Sequence, residues 1–248
     1  MFAFFDPHEH VRITCRNLPH WFQPGATYFI TFRTEDSLPA DVVSLWRRRR
    51  DDWLRRHGID PAASDWQQHF RTLAVHEQDQ FHLKFSEEYL AFLDKGYGEC
   101  VLRRRDVASK VAQTLEHFDG QRYYLGDFVI MPNHVHLLVG LLGETDVTRL
   151  CYSWKKYSAQ SINRLLGRRG RLWQEESFDH LVRNTQSFER FRWYIARNGQ
   201  DAGLRTYEYY YRSCPHLPVL EANGLAVEGI SGNPVPPQGT PMPDVPRR

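Results

Sequence analysis

The stretch FVIMPNHVHLLVGLL, residues 128 to 142, constrains this chain more than any other. A run this apolar belongs in a buried sheet. Its only break is Pro132-Asn133, whose turn chemistry predicts two strands, at about 122–131 and 134–142. The second strand opens with two histidines one residue apart, His134 and His136. Side chains alternate across a strand, so both imidazoles share one face, while Val135 and Leu137 share the other. A buried imidazole needs a partner or water. Two on one face of an apolar strand can bind one divalent ion, with a third ligand from elsewhere. The plainer reading is a pair of half-buried histidines on a polar sheet face.

The rest of the chain reads around that pair. Residues 1–24 read as irregular. ATYFITFRT, 26 to 34, is aromatic and β-branched and predicts a strand. PADVVSLWRRRRDDWLRR, 39 to 56, predicts a helix with proline in its first turn. Residues 57–100 carry little pattern and read as an insertion with a short helix near SEEYLAFLDKG. Helices follow at 106–120, closed by Gly120, at 147–166 and at 186–198, with the basic loop GRRGR and an extended LWQEESFDHLVR between the last two. Strand, helix, strand, strand, helix implies an α+β fold, an antiparallel sheet with helices mainly on one face. Residues 1–212 then form one domain, and 213–248, rich in proline and glycine, a disordered tail.

At 41% apolar residues the chain is globular. A formal net charge of +2 does not announce a nucleic-acid binder, but its distribution does more. Between Arg149 and Gln174 stand seven basic residues (Arg149, Lys155, Lys156, Arg164, Arg168, Arg169, Arg171) and no acid. The run at Arg47–Arg50 is interrupted by Asp51 and Asp52 and reads as a solvated helix face. The four cysteines lack any C-x-x-C spacing, so they suggest neither a zinc knuckle nor a disulfide framework. No apolar run reaches the ~18 residues of a membrane span and the first residues lack a signal-peptide pattern, so a reducing, cytoplasmic setting without membrane attachment is expected. A second histidine pair, His8 and His10 in DPHEH, lacks strand-like flanks and reads as surface.

MPNHVHLLV resembles the histidine–hydrophobe–histidine motif of the HUH superfamily of single-strand endonucleases. GRLWQEESFDHLVRN followed by FRWYIARNGQDAGL is similar to the C-terminal half of REP-associated tyrosine transposases, relatives of the small single-tyrosine insertion-sequence transposases. The resemblance spans roughly residues 18–210 and is weak over 57–100. It departs at Asn198-Gly199, where the family usually carries Asn-Pro. The resemblance implies a ferredoxin-like palm of the HUH type, whose sheet carries a metal and whose helix carries a nucleophilic tyrosine. The substrate it implies is single-stranded DNA with a palindromic hairpin, cut so that the tyrosine joins the 5′ phosphate and frees a 3′ hydroxyl. It implies a nucleoid-associated protein, either a monomer or a homodimer.

Twelve tyrosines compete for that role. On the last helix Phe188, Phe191 and Ile195 form a core stripe. Tyr194 and Asn198, four apart, border it on one side, so a hydroxyl and an amide oxygen can face one point on the sheet. Tyr194 also occupies the family's nucleophile position, and Asn198 the position that completes the metal shell with His134 and His136. A hard ion, Mg²⁺ or Mn²⁺, suits those donors. The rival Tyr157 continues the stripe Leu150, Trp154, Tyr157, Leu165 and reads as packing. Phosphate contacts are expected from Lys155, Lys156, Arg164, Arg168, Arg169, Arg171 and Arg183, and base stacking from Trp154 and Trp173. Two other classes stay open: a hairpin-binding module that does not cut, and an unrelated metal-dependent hydrolase.

Overall fold

The computed structural model describes residues 2–6, 8–15 and 19–217. The chain begins with an antiparallel hairpin, β1 (Arg12–Cys15) and β2 (Pro19–Phe22), in a stretch whose sequence reads as irregular. Then come β3 (Thr27–Arg33), the helices α1 (Ala40–Arg56), α2 (Trp66–Arg71) and α3 (Val75–Asp94), and a 3₁₀ turn at Val101–Arg103. The second half runs α4 (Arg105–Glu116), β4 (Tyr123–Ile130), β5 (His134–Leu141), α5 (Val147–Leu166), β6 (Phe178–Leu181), α6 (Thr185–Asp201) and β7 (Tyr210–Arg212). Five strands make one sheet in the order β6-β3-β5-β4-β7, antiparallel throughout. The fold is therefore α+β on an antiparallel sheet, as the strand and helix order implies. The boundary drawn at residue 213 falls next to β7, and most of the tail, 218–248, lies outside the described residues.

β5 is the central strand, buried along its whole length. Its two faces meet different partners. Val135, Leu137 and Val139 pack with Tyr28, Ile30 and Phe32 of β3 under α4 and α5. Leu138, on the face of His134 and His136, joins Phe29, Val129, Phe188, Tyr194 and Ile195, so α6 covers that face. Helices thus lie on both faces and not, as the element order suggests, mainly on one: α4 and α5 cover one face and α6 the other, because neither face of so apolar a strand can be left to water.

Local chemistry sets the helix ends. Asp146 caps α5 by accepting from the N–H groups of Thr148 and Arg149, and Gly167, at φ 62°, closes it in the left-handed region. Asn184 and Ser187 cap α6 reciprocally. The patternless 57–100 region is helical: α3 is a continuous 20-residue helix, and Phe81 and Phe85 on it pack with Trp53 and Leu54 of α1 and Phe70 of α2 in a satellite core.

Beside the bulge between Leu125 and Phe128, Asp127 is fully buried against α6. Its Oδ2 accepts from Arg192 Nε at 2.8 Å, and its Oδ1 accepts from the Cys214 N–H at 2.6 Å. Arg192, also fully buried, reaches Glu189 at 3.2 Å as well. One carboxylate therefore ties β4, α6 and the chain after β7 together. Gly199, where the resemblance expects proline, is buried against the Tyr209 ring, and a Cβ there would run into that ring.

Candidate active site

His134 and His136 lie fully buried on the α6 side of β5, their rings 4.5 Å apart between centroids. Each ring is held at Nδ1. His134 Nδ1 lies 2.7 Å from Asn133 Oδ1, and His136 Nδ1 lies 2.7 Å from Thr31 Oγ1, its neighbour across the β3–β5 ladder. The two Nε2 atoms are left to face α6 and the end of α3. Tyr194 approaches there, its hydroxyl 3.3 Å from His136 Nε2. Phe29 supports the arrangement, stacking on His136 at 5.5 Å and meeting Tyr194 edge-on at 5.8 Å.

The site also contains a residue that the sequence did not disclose. Asp94, the last residue of α3, places Oδ1 3.5 Å from His134 Nε2, with its side chain 2% exposed. Ligand atoms of Asp94, His134 and His136 lie within 4.8 Å of one another. A faint signal was available. An acid in the last turn of a helix opposes the helix dipole, so its placement in AFLDKG calls for a reason.

Among the described residues, several polar atoms gathered here find no hydrogen-bond partner: His134 Nε2, Asp94 Oδ1, and both amide atoms of the fully buried Asn198. Each such atom costs about 1–3 kcal/mol when nothing satisfies it. Imidazole nitrogens, a carboxylate and an amide oxygen form a donor set that suits a divalent cation, so the residues present fit the metal that the histidine pair implies. Burial holds the His136 pKa well below its ordinary value, and the neighbouring His134 adds to this. Burial likewise pushes the Tyr194 phenol well above its ordinary value. The Asp94 charge adds to that, and the Asn198 amide opposes it.

The basic residues occupy a second region. Trp173 bridges to Thr34, Glu35 N–H donates to the Leu172 carbonyl, and Gln174 N–H donates to that of Arg33. Because Arg33 pairs with His134, the GRRGR loop is carried to the histidine end of the sheet. There Arg168 pairs with Glu99 at 3.2 Å and Arg171 with Glu35 at 3.8 Å, while Arg169 is exposed. Lys156, Arg164 and Arg183 are exposed too, whereas Lys155 donates to the carbonyls of Gln174 and Glu175.

Three expectations need correction. Trp154 and Trp173 are 2% and 3% exposed, with their indole N–H groups donating to Tyr123 Oη and Ser158 Oγ, so neither can stack on a base. Tyr157 does not pack: it is 56% exposed, as Tyr152 is 65% exposed, and Leu165 is also exposed. The buried stripe of α5 runs Leu150, Trp154, Ser158, Ile162. His8 and His10 are exposed, as expected.

The dual-specificity RNA methyltransferase RlmN of Desulfosudis oleivorans is 30% identical over 126 residues, covering 50% of this chain and 31% of that protein. The chain thus spans under a third of that relative's length. A solved structure described as a REP-associated tyrosine transposase bound to a REP hairpin shares 12% identity over 77% of this chain and 76% of that one. Its TM-score of 0.41 is too low to carry an argument. Residues 99–198 match a family model described as "Transposase IS200 like". That segment holds the histidine pair, the basic loop and the stretch from Tyr194 to Asn198, so this part of the chain is similar to the IS200-like transposases.

Proposed function

We propose that this protein is a metal-dependent single-strand DNA endonuclease and transposase of the REP-associated type, cutting beside a hairpin through a covalent tyrosine. One observation carries the reading. Four residues from three separate segments, Asp94, His134, His136 and Tyr194, bring their reactive atoms together in an otherwise apolar core. His134 and His136 would hold the cation through Nε2, with Asp94 as third ligand and the Asn198 amide oxygen as a further donor. A Mg²⁺ or Mn²⁺ there would withdraw charge from the scissile phosphate.

The chain's own residues do the rest. Phe29 and His136 hold the phenol beside the histidine pair, which would set its oxygen for attack on a phosphate bound there. The Tyr194 oxygen forms a bond to phosphorus and the bond to the 3′ oxygen breaks. The phenol gives up its proton and the departing oxygen takes one up as a hydroxyl. The phosphotyrosine conserves the ester's energy, so a second strand can be joined without ATP.

Phosphate contacts are assigned mainly to Arg168, Arg169 and Arg171 in the loop at the histidine end, with Lys156 and Arg164 beside them. Exposed Tyr152 and Tyr157 take over the stacking role from the two buried tryptophans. The exposed arginine pairs with Glu99 and Glu35 are weak enough to exchange for phosphates.

Two results test this reading with hairpin-bearing single-stranded DNA. His136→Ala and Asp94→Ala should abolish Mg²⁺- or Mn²⁺-dependent cleavage while leaving hairpin affinity within about tenfold, ~1.4 kcal/mol. Full cleavage in chelator would sink the metal role. Changing Arg168, Arg169 and Arg171 together to Gln should weaken binding and reduce its log–log salt slope by up to ~0.7–0.9 for each phosphate that the loop neutralises. An unchanged slope would exclude the loop as the DNA surface.

A further inference from the structure

We propose that Asn133 is the positioning residue that selects the ring tautomer of His134, and that the end of α3 governs both nitrogens of that ring. The proposal rests on the metal-assisted reading of the site and deepens it.

Donors and acceptors decide the assignment. Asn133 is fully buried. Its Nδ2 donates to the Tyr97 carbonyl at 2.9 Å. A carbonyl can only accept, so the amide nitrogen must face Tyr97 and the amide oxygen must face His134. That oxygen lies 2.7 Å from His134 Nδ1. Two acceptors cannot approach so closely, so Nδ1 carries the hydrogen. The neutral ring then presents a bare lone pair at Nε2, toward Asp94. Rotating the amide would set its NH₂ against Nδ1 and its oxygen against the Tyr97 carbonyl, and that second pairing of acceptors forbids it. The backbone adds a third restraint, since the Asn133 carbonyl accepts from Thr34 N–H at 2.8 Å and Thr34 Oγ1 at 3.1 Å.

His136 is held differently. Its Nδ1 partner is the Thr31 hydroxyl, which can donate or accept, so that hydrogen bond orients the ring without choosing its tautomer. One histidine is thus fixed in the ligand form while the other can adapt. Residues 94 to 97 supply the Asp94 carboxylate near one nitrogen of His134 and, through Tyr97 and Asn133, the polarity at the other. Partners of this kind on metal-binding histidines are worth roughly 10–100-fold in metal affinity.

The test uses full-length protein labelled with ¹⁵N-histidine, without metal or DNA, at mildly alkaline pH, with the His134 signal assigned by its loss in His134→Gln. Long-range ¹H–¹⁵N spectra should show His134 protonated at Nδ1. Asn133→Ala should release it toward the Nε2–H form and weaken Mn²⁺ binding by roughly 10–100-fold. Asn133→Asp keeps an acceptor facing Nδ1 and should retain the Nδ1–H form, at a lower melting temperature because its other oxygen then faces the Tyr97 carbonyl. A wild-type His134 protonated at Nε2, or an Asn133→Ala protein with unchanged tautomer and unchanged Mn²⁺ affinity, would overturn the proposal. If Asn133→Ala does not fold, the wild-type spectrum alone decides. The tautomer is read without cleavage, so a protein that shows it but never cuts DNA contradicts the proposed function and not this assignment.

Discussion

Tyr194→Phe should lose the covalent protein–DNA adduct and lower cleavage by roughly 10³-fold or more, whereas Tyr157→Phe should leave adduct formation intact. The substitution removes one oxygen and keeps the ring that packs on Phe29, so the fold has little reason to change. The hydroxyl's 3.3 Å approach to His136 is a marginal hydrogen bond, and its removal costs stability about 1 kcal/mol or less. Hairpin affinity should hold, because the basic loop is untouched. Denaturing gels and binding curves on the same preparations separate these effects. An adduct that survives in Tyr194→Phe removes Tyr194 from the reaction.

The second large effect is on stability. Arg192→Leu should destabilise the protein by about 3–5 kcal/mol, because it strands the buried Asp127 carboxylate and deprives Glu189 of its partner. For a chain of this size that corresponds to a fall in melting temperature of roughly 6–20 °C. Adding Asp127→Asn should recover part of the loss, since the amide oxygen can still accept from Cys214 N–H while the uncompensated charge is gone. Equal melting temperatures for wild type and Arg192→Leu would show that the cluster does not clamp α6 to the sheet.

What the sequence disclosed follows from which signals are local. β5 was legible because an apolar strand and two out-of-place histidines occupy eight adjacent residues, and α5 was legible as a helix because apolar residues recur at helical spacing along its 20 residues. The stripe of α5 was mis-phased because Ser158 looks polar. It is buried, donating to the Trp154 carbonyl and accepting from Trp173, so Tyr157 is pushed out to solvent. Asp94 was hidden for another reason. Its role depends on the tertiary path of α3, which lies outside the segment matched to the transposase family and carries no motif. The β1–β2 hairpin and β7 are made of strands of three or four residues, too short for an alternating pattern to stand out.

Mapping the adduct tests the tyrosine chemistry most directly. Wild-type protein is incubated with hairpin-bearing single-stranded DNA and Mn²⁺, with a chelator control, then digested with trypsin and nuclease and read by mass spectrometry. Cleavage after Arg192 and Arg197 releases Trp193–Arg197, whose only tyrosine is Tyr194. The expected product is that peptide carrying a nucleotide phosphate, present with Mn²⁺ and absent with chelator. The adduct on the peptide that carries Tyr157, or on Tyr194 at full yield without metal, would contradict the proposed mechanism.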